Sequence, residues 1–177
     1  MPSAITATRP AVQGYIPIRP DLLQFVRWRE NLSPSPDSAL RLPGQGAICN
    51  YLTDLIQFGR SLYLPATAIE REPLELSGLT ARLRFECAAG FMDESFFEYA
   101  DLVAHYFNDF LHQQWKEEVD RWTAACTYSN PRLDRKDAIA DLHRISGMDD
   151  FREVDSDIRA NHRLRDYRQL VRHRRGK

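Results

Sequence analysis

The sequence predicts a mainly α fold: an irregular helical bundle built on a long central helix at about 93–126, with an extended proline-rich N-terminal arm and a basic C-terminal helix. Three observations carry this expectation. Phe96, Ala100, Val103, Phe107, Phe110, Leu111, Trp115, Val119, Trp122 and Cys126 recur every three or four residues, with no proline or glycine from Asp93 to Cys126. Seven of the ten prolines, Pro2, Pro10, Pro17, Pro20, Pro34, Pro36 and Pro43, precede residue 44. Basic residues crowd the other end of the chain. Residues 158–177 hold eight of them against Asp166 alone, a net +7, so residues 1–157 carry −8 of the total of −1.

Taken in order, residues 1–20 hold four prolines. Proline lacks an N–H and disfavours helix in the residue before it, so this stretch reads as an extended arm, with Tyr15, Ile16 and Ile18 available to cover a neighbouring surface. A short helix is expected from Asp21 to Asn31, opened by the Asp21 carboxylate and carrying Leu22, Phe25, Val26 and Trp28. Ser33 to Gly46 reads as a linker. Ile48, Tyr51, Leu52, Leu55 and Ile56 then mark an amphipathic helix, with Gly59 as its expected stop.

Residues 74–90 read two ways. Leu79, Ala81, Leu83, Phe85 and Cys87 alternate with polar residues, as in a strand. Ser77 as a cap, Ala88, Ala89 and Gly90 suit a helix, and helix is favoured. The central helix, about 34 residues and roughly 50 Å long at 1.5 Å per residue, follows. Asn130-Pro131 ends it. Asp134 opens a shorter helix that stops at Gly147, and a last helix is expected from Asp149 or Asp150, with Phe151, Val154 and Ile158 inward. The domain organisation is therefore 1–46 arm, short helix and linker, 47–157 helical domain, and 158–177 Arg-rich segment.

Composition narrows the function classes. The hydrophobic fraction is 43% and the charged fraction 28%, ordinary for a globular chain that needs no disulfide or metal to be stable. Cys49, Cys87 and Cys126 are odd in number and widely spaced, which points to free thiols in a reducing compartment and a cytoplasmic location. Residues 1–20 contain no apolar core of signal-peptide length, and no apolar run reaches the roughly 20 residues that span a bilayer. No membrane partner and no cofactor are expected.

Four constellations merit chemistry. Arg159, Arg163, Arg165, Arg168, Arg172, Arg174 and Arg175 form a candidate nucleic-acid site, since the planar guanidinium fork suits phosphate. The same residues also suit pairing with the acidic body of this chain or of a partner. His105, Asp109 and His112 follow helical spacing on the long helix and are weak metal candidates. Glu-x-x-His motifs are lacking, and the apolar stripe opposite implies that they face water. Leu42-Pro-Gly-Gln-Gly-Ala-Ile leads into a helix but lacks the Gly-Lys-Ser/Thr of a phosphate loop, and it reads as a flexible lead-in. Ser146 near His143 has no nucleophile signature around it.

The resulting expectation is a non-enzymatic helical binding protein acting through a protein partner or self-association, with nucleic-acid association through the basic tail. The alternatives are a nucleic-acid-binding accessory protein and a small metal-dependent helical enzyme using His105 and His112.

Overall fold

The computed structural model describes residues 11–35, 37–63, 78–92 and 96–163. The protein is mainly helical with a small three-stranded sheet. In chain order the described elements are β1 (Ala11–Ile18), α1 (Pro20–Arg29), β2 (Leu40–Leu42), α2 (Ala47–Tyr63), β3 (Ala81–Ala88), α3 (Phe96–Ser129), α4 (Arg135–Ser146) and a last helix, α5 (154–163). No helix among the described residues is long and apolar enough to cross a membrane.

The chain divides into two compact units. The first draws on residues 1–19 and 30–108, the second on 20–29 and 109–177. The helix α3 contributes to both, its residues before 109 to the first and the remainder to the second.

The first unit corrects four expectations, among them the linker read at 33–46, which contains the strand β2 (Leu40–Leu42). The unit's centre is a sheet of order β1-β3-β2, so residues 81–88 are a strand and not the helix that was favoured. The alternation decides it: Leu83, Phe85 and Cys87 are buried on one face while the residues between them are not. The capping signals at Ala89 and Gly90 mark the turn that follows the strand, with Gly90 at φ +84°. Residues 11–18 of the expected arm are likewise the edge strand β1, paired antiparallel with β3 from Ala11↔Ala88 to Ile18↔Ala81. Pro17 is tolerated because an edge strand leaves one row of N–H groups unpaired by the ladder. On the other side β2 pairs parallel with β3, from Leu40↔Phe85 to Leu42↔Cys87. A parallel pair needs a long crossover, and the intervening segment includes α2.

Ile16, Ile18, Leu40, Leu42, Leu83 and Phe85 share the buried sheet face, with Ile48, Leu52 and Ile56 of α2 and Phe96, Val103 and Phe107 of α3 completing the unit's core. The stop expected at Gly59 is passed, because α2 runs on to Tyr63. Asn108, 7% exposed, ties β1 to α3. Its amide donates to the Pro17 carbonyl at 3.1 Å and to the Ala104 carbonyl at 2.7 Å, and its oxygen accepts from the Arg19 N–H at 3.0 Å. Two backbone groups that leave the sheet ladder are thereby satisfied.

In the second unit, Leu22, Phe25 and Val26 of α1, Leu111, Trp115 and Val119 of α3, and Ala138, Ile139 and Leu142 of α4 form the core. Phe25 meets Trp115 edge to face with centroids 5.5 Å apart. The helix α4 has the ends read from the sequence. Asp134 accepts from Lys136 N–H, and Gly147 closes the helix at φ 67°, with Met148 N–H donating back to the His143 carbonyl at 2.9 Å.

Gly14 lies opposite Phe85 in the ladder, and a Cβ built there would come within 2.2 Å of the Phe85 ring. Since Phe85 is fully buried, the ring has nowhere to retreat. Gly14→Ala is expected to lower stability by about 1–3 kcal/mol, read as a lower urea midpoint with unchanged m; an unaltered midpoint would show that the ring relaxes freely.

Candidate functional site

The site begins where α4 ends. After the Gly147 turn, the N–H groups of Phe151 and Arg152 both donate to the Met148 carbonyl, and α5 starts two residues beyond Arg152. This tight turn delivers Arg152 beside a buried carboxylate. Asp157, 1% exposed, accepts from four groups. Trp115 Nε1–H donates to its Oδ2 at 2.9 Å and His143 Nε2 to the same oxygen at 2.9 Å. Arg152 donates from Nε to Oδ1 at 3.1 Å and to Oδ2 at 3.0 Å, and from Nη2 to Oδ1 at 2.8 Å. Arg152 also reaches from Nη1 to Oδ2 of the buried Asp21 of α1 at 3.1 Å. An ionised carboxylate only accepts, so Nε2 is the protonated nitrogen of His143.

Burial alone would raise the Asp157 carboxyl pKa. The hydrogen bonds from His143 and Arg152, the Arg152 charge and the Trp115 hydrogen bond together hold it below the ordinary 3.8. A buried charge persists only when it is paired and hydrogen-bonded, and this one is both. His143 is 0% exposed and its ring meets Trp115 at 5.6 Å between centroids. A carboxylate–imidazole pair closed to solvent cannot reach a substrate, so it organises structure. Ser146 is equally closed, its hydroxyl donating to the Leu142 carbonyl at 2.7 Å.

On the outer side of this network is a cleft of about 300 Å³, lined by His112 and Lys116 of α3 and by Arg152, Ser156, Arg159, Ala160 and Arg163. The spacing produces it. His112 and Lys116 are one turn apart on α3, while 156, 159, 160 and 163 fall on one face of α5. Asp157 and Asn161 occupy the adjoining face and are buried, with Asn161 donating to Asp120 at 3.5 Å. Among the described residues the lining carries four permanent cations and no carboxylate. Arg152 spends its charge on Asp157 and Asp21, whereas Lys116, Arg159 and Arg163 have no carboxylate partner among the described residues.

Of the arginines singled out in the sequence, Arg159 and Arg163 both line this cleft. Arg165, Arg168, Arg172, Arg174 and Arg175 lie outside the described residues. Of the metal candidates, His112 is in the cleft and Asp109 is exposed on α3. His105 is half-buried, with its ring centroid 5.7 Å from that of Tyr106. Among the described residues no three His, Cys, Asp or Glu side chains are grouped to hold a metal ion. The cations around His112 would also repel one. Lys116, Arg152 and Ser156 were missed. Lys116 belongs to a helix read for its apolar stripe, and Arg152 acquires its role only through tertiary contacts. The glycine-rich lead-in at 42–48 opens α2 at Ala47, with Asn50 N–H donating to the Gly46 carbonyl at 3.0 Å.

Two of the three thiols, Cys49 and Cys87, are buried and poorly reactive. The Cys49 pKa is pushed up to about 11 by burial, by the charge of Glu30 and by its hydrogen bond to that carboxylate, and burial raises Cys87 as well. Compared with known protein families, curated proteins and solved structures, the chain matches none.

Two predictions follow from these groups. Because the folded Asp157 pKa lies below its unfolded value, its stabilisation is complete at neutral pH, where both states are ionised. It fades as acid protonates the folded carboxylate. Asp157→Asn should cost about 3 kcal/mol at neutral pH, and the gap to wild type should shrink below the ordinary 3.8; a gap that is constant into acid would contradict this. Cys49 and Cys87 should resist a disulfide reagent in the native protein at mildly alkaline pH and react on unfolding, and native modification at the rate of a free thiol would count against the burial argument.

Proposed function

We propose that this is a non-enzymatic binding protein that associates with nucleic acid through the phosphate groups, using the basic cleft of its second unit and the arginine-rich segment that follows. The observation that carries the reading is the convergence of Lys116, Arg159 and Arg163 in one concavity whose lining, among the described residues, holds no carboxylate. Like charges gathered without counter-charges are costly for folding, and an anionic partner relieves that cost. Arginine supplies paired, directional N–H donors to phosphate oxygens, and lysine supplies a point charge. A binding role also agrees with the closed state of the His143–Asp157 pair. The three free cysteines support a reducing, cytoplasmic setting.

Action through a protein partner, with the remaining helices arranged as an irregular bundle, is a second reading. It draws on exposed Tyr15, Phe58 and Tyr128. They sit on three different elements, and single apolar side chains are ordinary on a protein surface, so this reading has the weaker support.

Binding of labelled single- and double-stranded nucleic acid tests the proposal. Retention should fall steeply between about 50 and 200 mM salt, and Lys116→Ala with Arg159→Ala and Arg163→Ala should flatten that salt dependence by about one counterion per lost contact. An intact protein that retains no nucleic acid at the lowest salt would refute it.

A further inference from the structure

We infer that the cleft is a site for a phosphomonoester dianion, the group carried at the end of a nucleic-acid strand or by a nucleotide. The inference rests on the phosphate-binding reading above and narrows it from any backbone phosphate to a terminal one.

Charge is the first argument. Lys116, Arg159 and Arg163, which have no carboxylate partner among the described residues, converge on one cavity. An internal phosphodiester brings one negative charge and two unbridged oxygens. A phosphomonoester brings a charge of about −1.5 to −2 at neutral pH and three strong acceptor oxygens, which matches the cations and donors more nearly.

Donor geometry is the second. Arg152 is held by Asp157 and Asp21 through Nε, one N–H of Nη1 and one of Nη2. A guanidinium carries five N–H donors in a rigid fork, so one on each terminal nitrogen is left over by these bonds. Its position is set before any ligand arrives, and its charge is already balanced, so it contributes orientation more than attraction. The Ser156 hydroxyl adds a donor on the same wall.

Size is the third argument. A cleft of about 300 Å³ holds on the order of ten water volumes. That accommodates one phosphate with its sugar and excludes a duplex.

The test uses the full chain and short 3′-labelled DNA strands of one sequence bearing either a 5′-phosphate or a 5′-hydroxyl, followed by fluorescence anisotropy at moderate salt. The 5′-phosphorylated strand should bind about tenfold more tightly, the worth of one added charge-assisted contact. Unlabelled nucleoside 5′-monophosphate should compete that advantage away, and a competitor as potent as the strand itself would identify the nucleotide as the natural source of the phosphate. Arg159→Ala with Arg163→Ala, both exposed positions, should abolish the preference while leaving the melting temperature in phosphate-free buffer no lower, since less like charge is then gathered in the cleft. Equal binding of the two strands, with no competition by the monophosphate, would overturn the inference yet leave general backbone binding standing. Binding of neither strand would overturn both.

Discussion

The second unit depends on one buried carboxylate. Asp157 receives hydrogen bonds from α3 through Trp115, from α4 through His143, and from the turn before α5 through Arg152, which in turn holds Asp21 of α1. Four elements therefore meet at one buried charged centre. Such a centre adds little net stability compared with a well-packed apolar core, because removing charges from water is expensive. Its effect is on placement. An apolar contact tolerates sliding, whereas a carboxylate with five short donor contacts admits very few arrangements of the helices that supply them.

That constraint sets which faces α5 turns inward and outward. With Asp157 and Asn161 turned inward, the face carrying Ser156, Arg159 and Arg163 is turned toward His112 and Lys116. The same helix thus has one polar face that is satisfied and buried and another that is basic and open. Arg152 stands at the boundary of the two, neutralised by Asp157 and Asp21 and lining the cleft.

Much of this was legible in the sequence. The 3.6-residue period of Val103, Phe107, Leu111, Trp115 and Val119 marks the buried stripe of α3, and Asp134 and Gly147 mark both ends of α4. Arg159 and Arg163 could be picked out by charge alone. The strand β3 was misread because its alternation competes with flanking alanines and a serine that suit helix, and the partner strands that decide the matter come from distant, proline-marked segments. Strand β1 was hidden by Pro17, which an edge position tolerates, and by the prolines on either side of it. The anchor Asp157 was invisible for a different reason. A buried aspartate interrupts the apolar pattern that locates a core, and nothing local indicates that Trp115, His143 and Arg152 will converge on it. The start of α5 was misplaced on the same account, since Phe151, expected inward, is 46% exposed.

Phosphate held by the carboxylate-anchored arginine and its neighbours on α5 has a direct spectroscopic consequence. The side-chain Nε–H resonances of the arginines report on it directly in a titration of the full chain with a 5′-phosphorylated strand. The Arg152 signal should already be protected from solvent exchange before addition, and Arg152, Arg159 and Arg163 should shift together and saturate at one ligand concentration. Unprotected Arg152, or shifts confined to arginines outside the cleft, would contradict it.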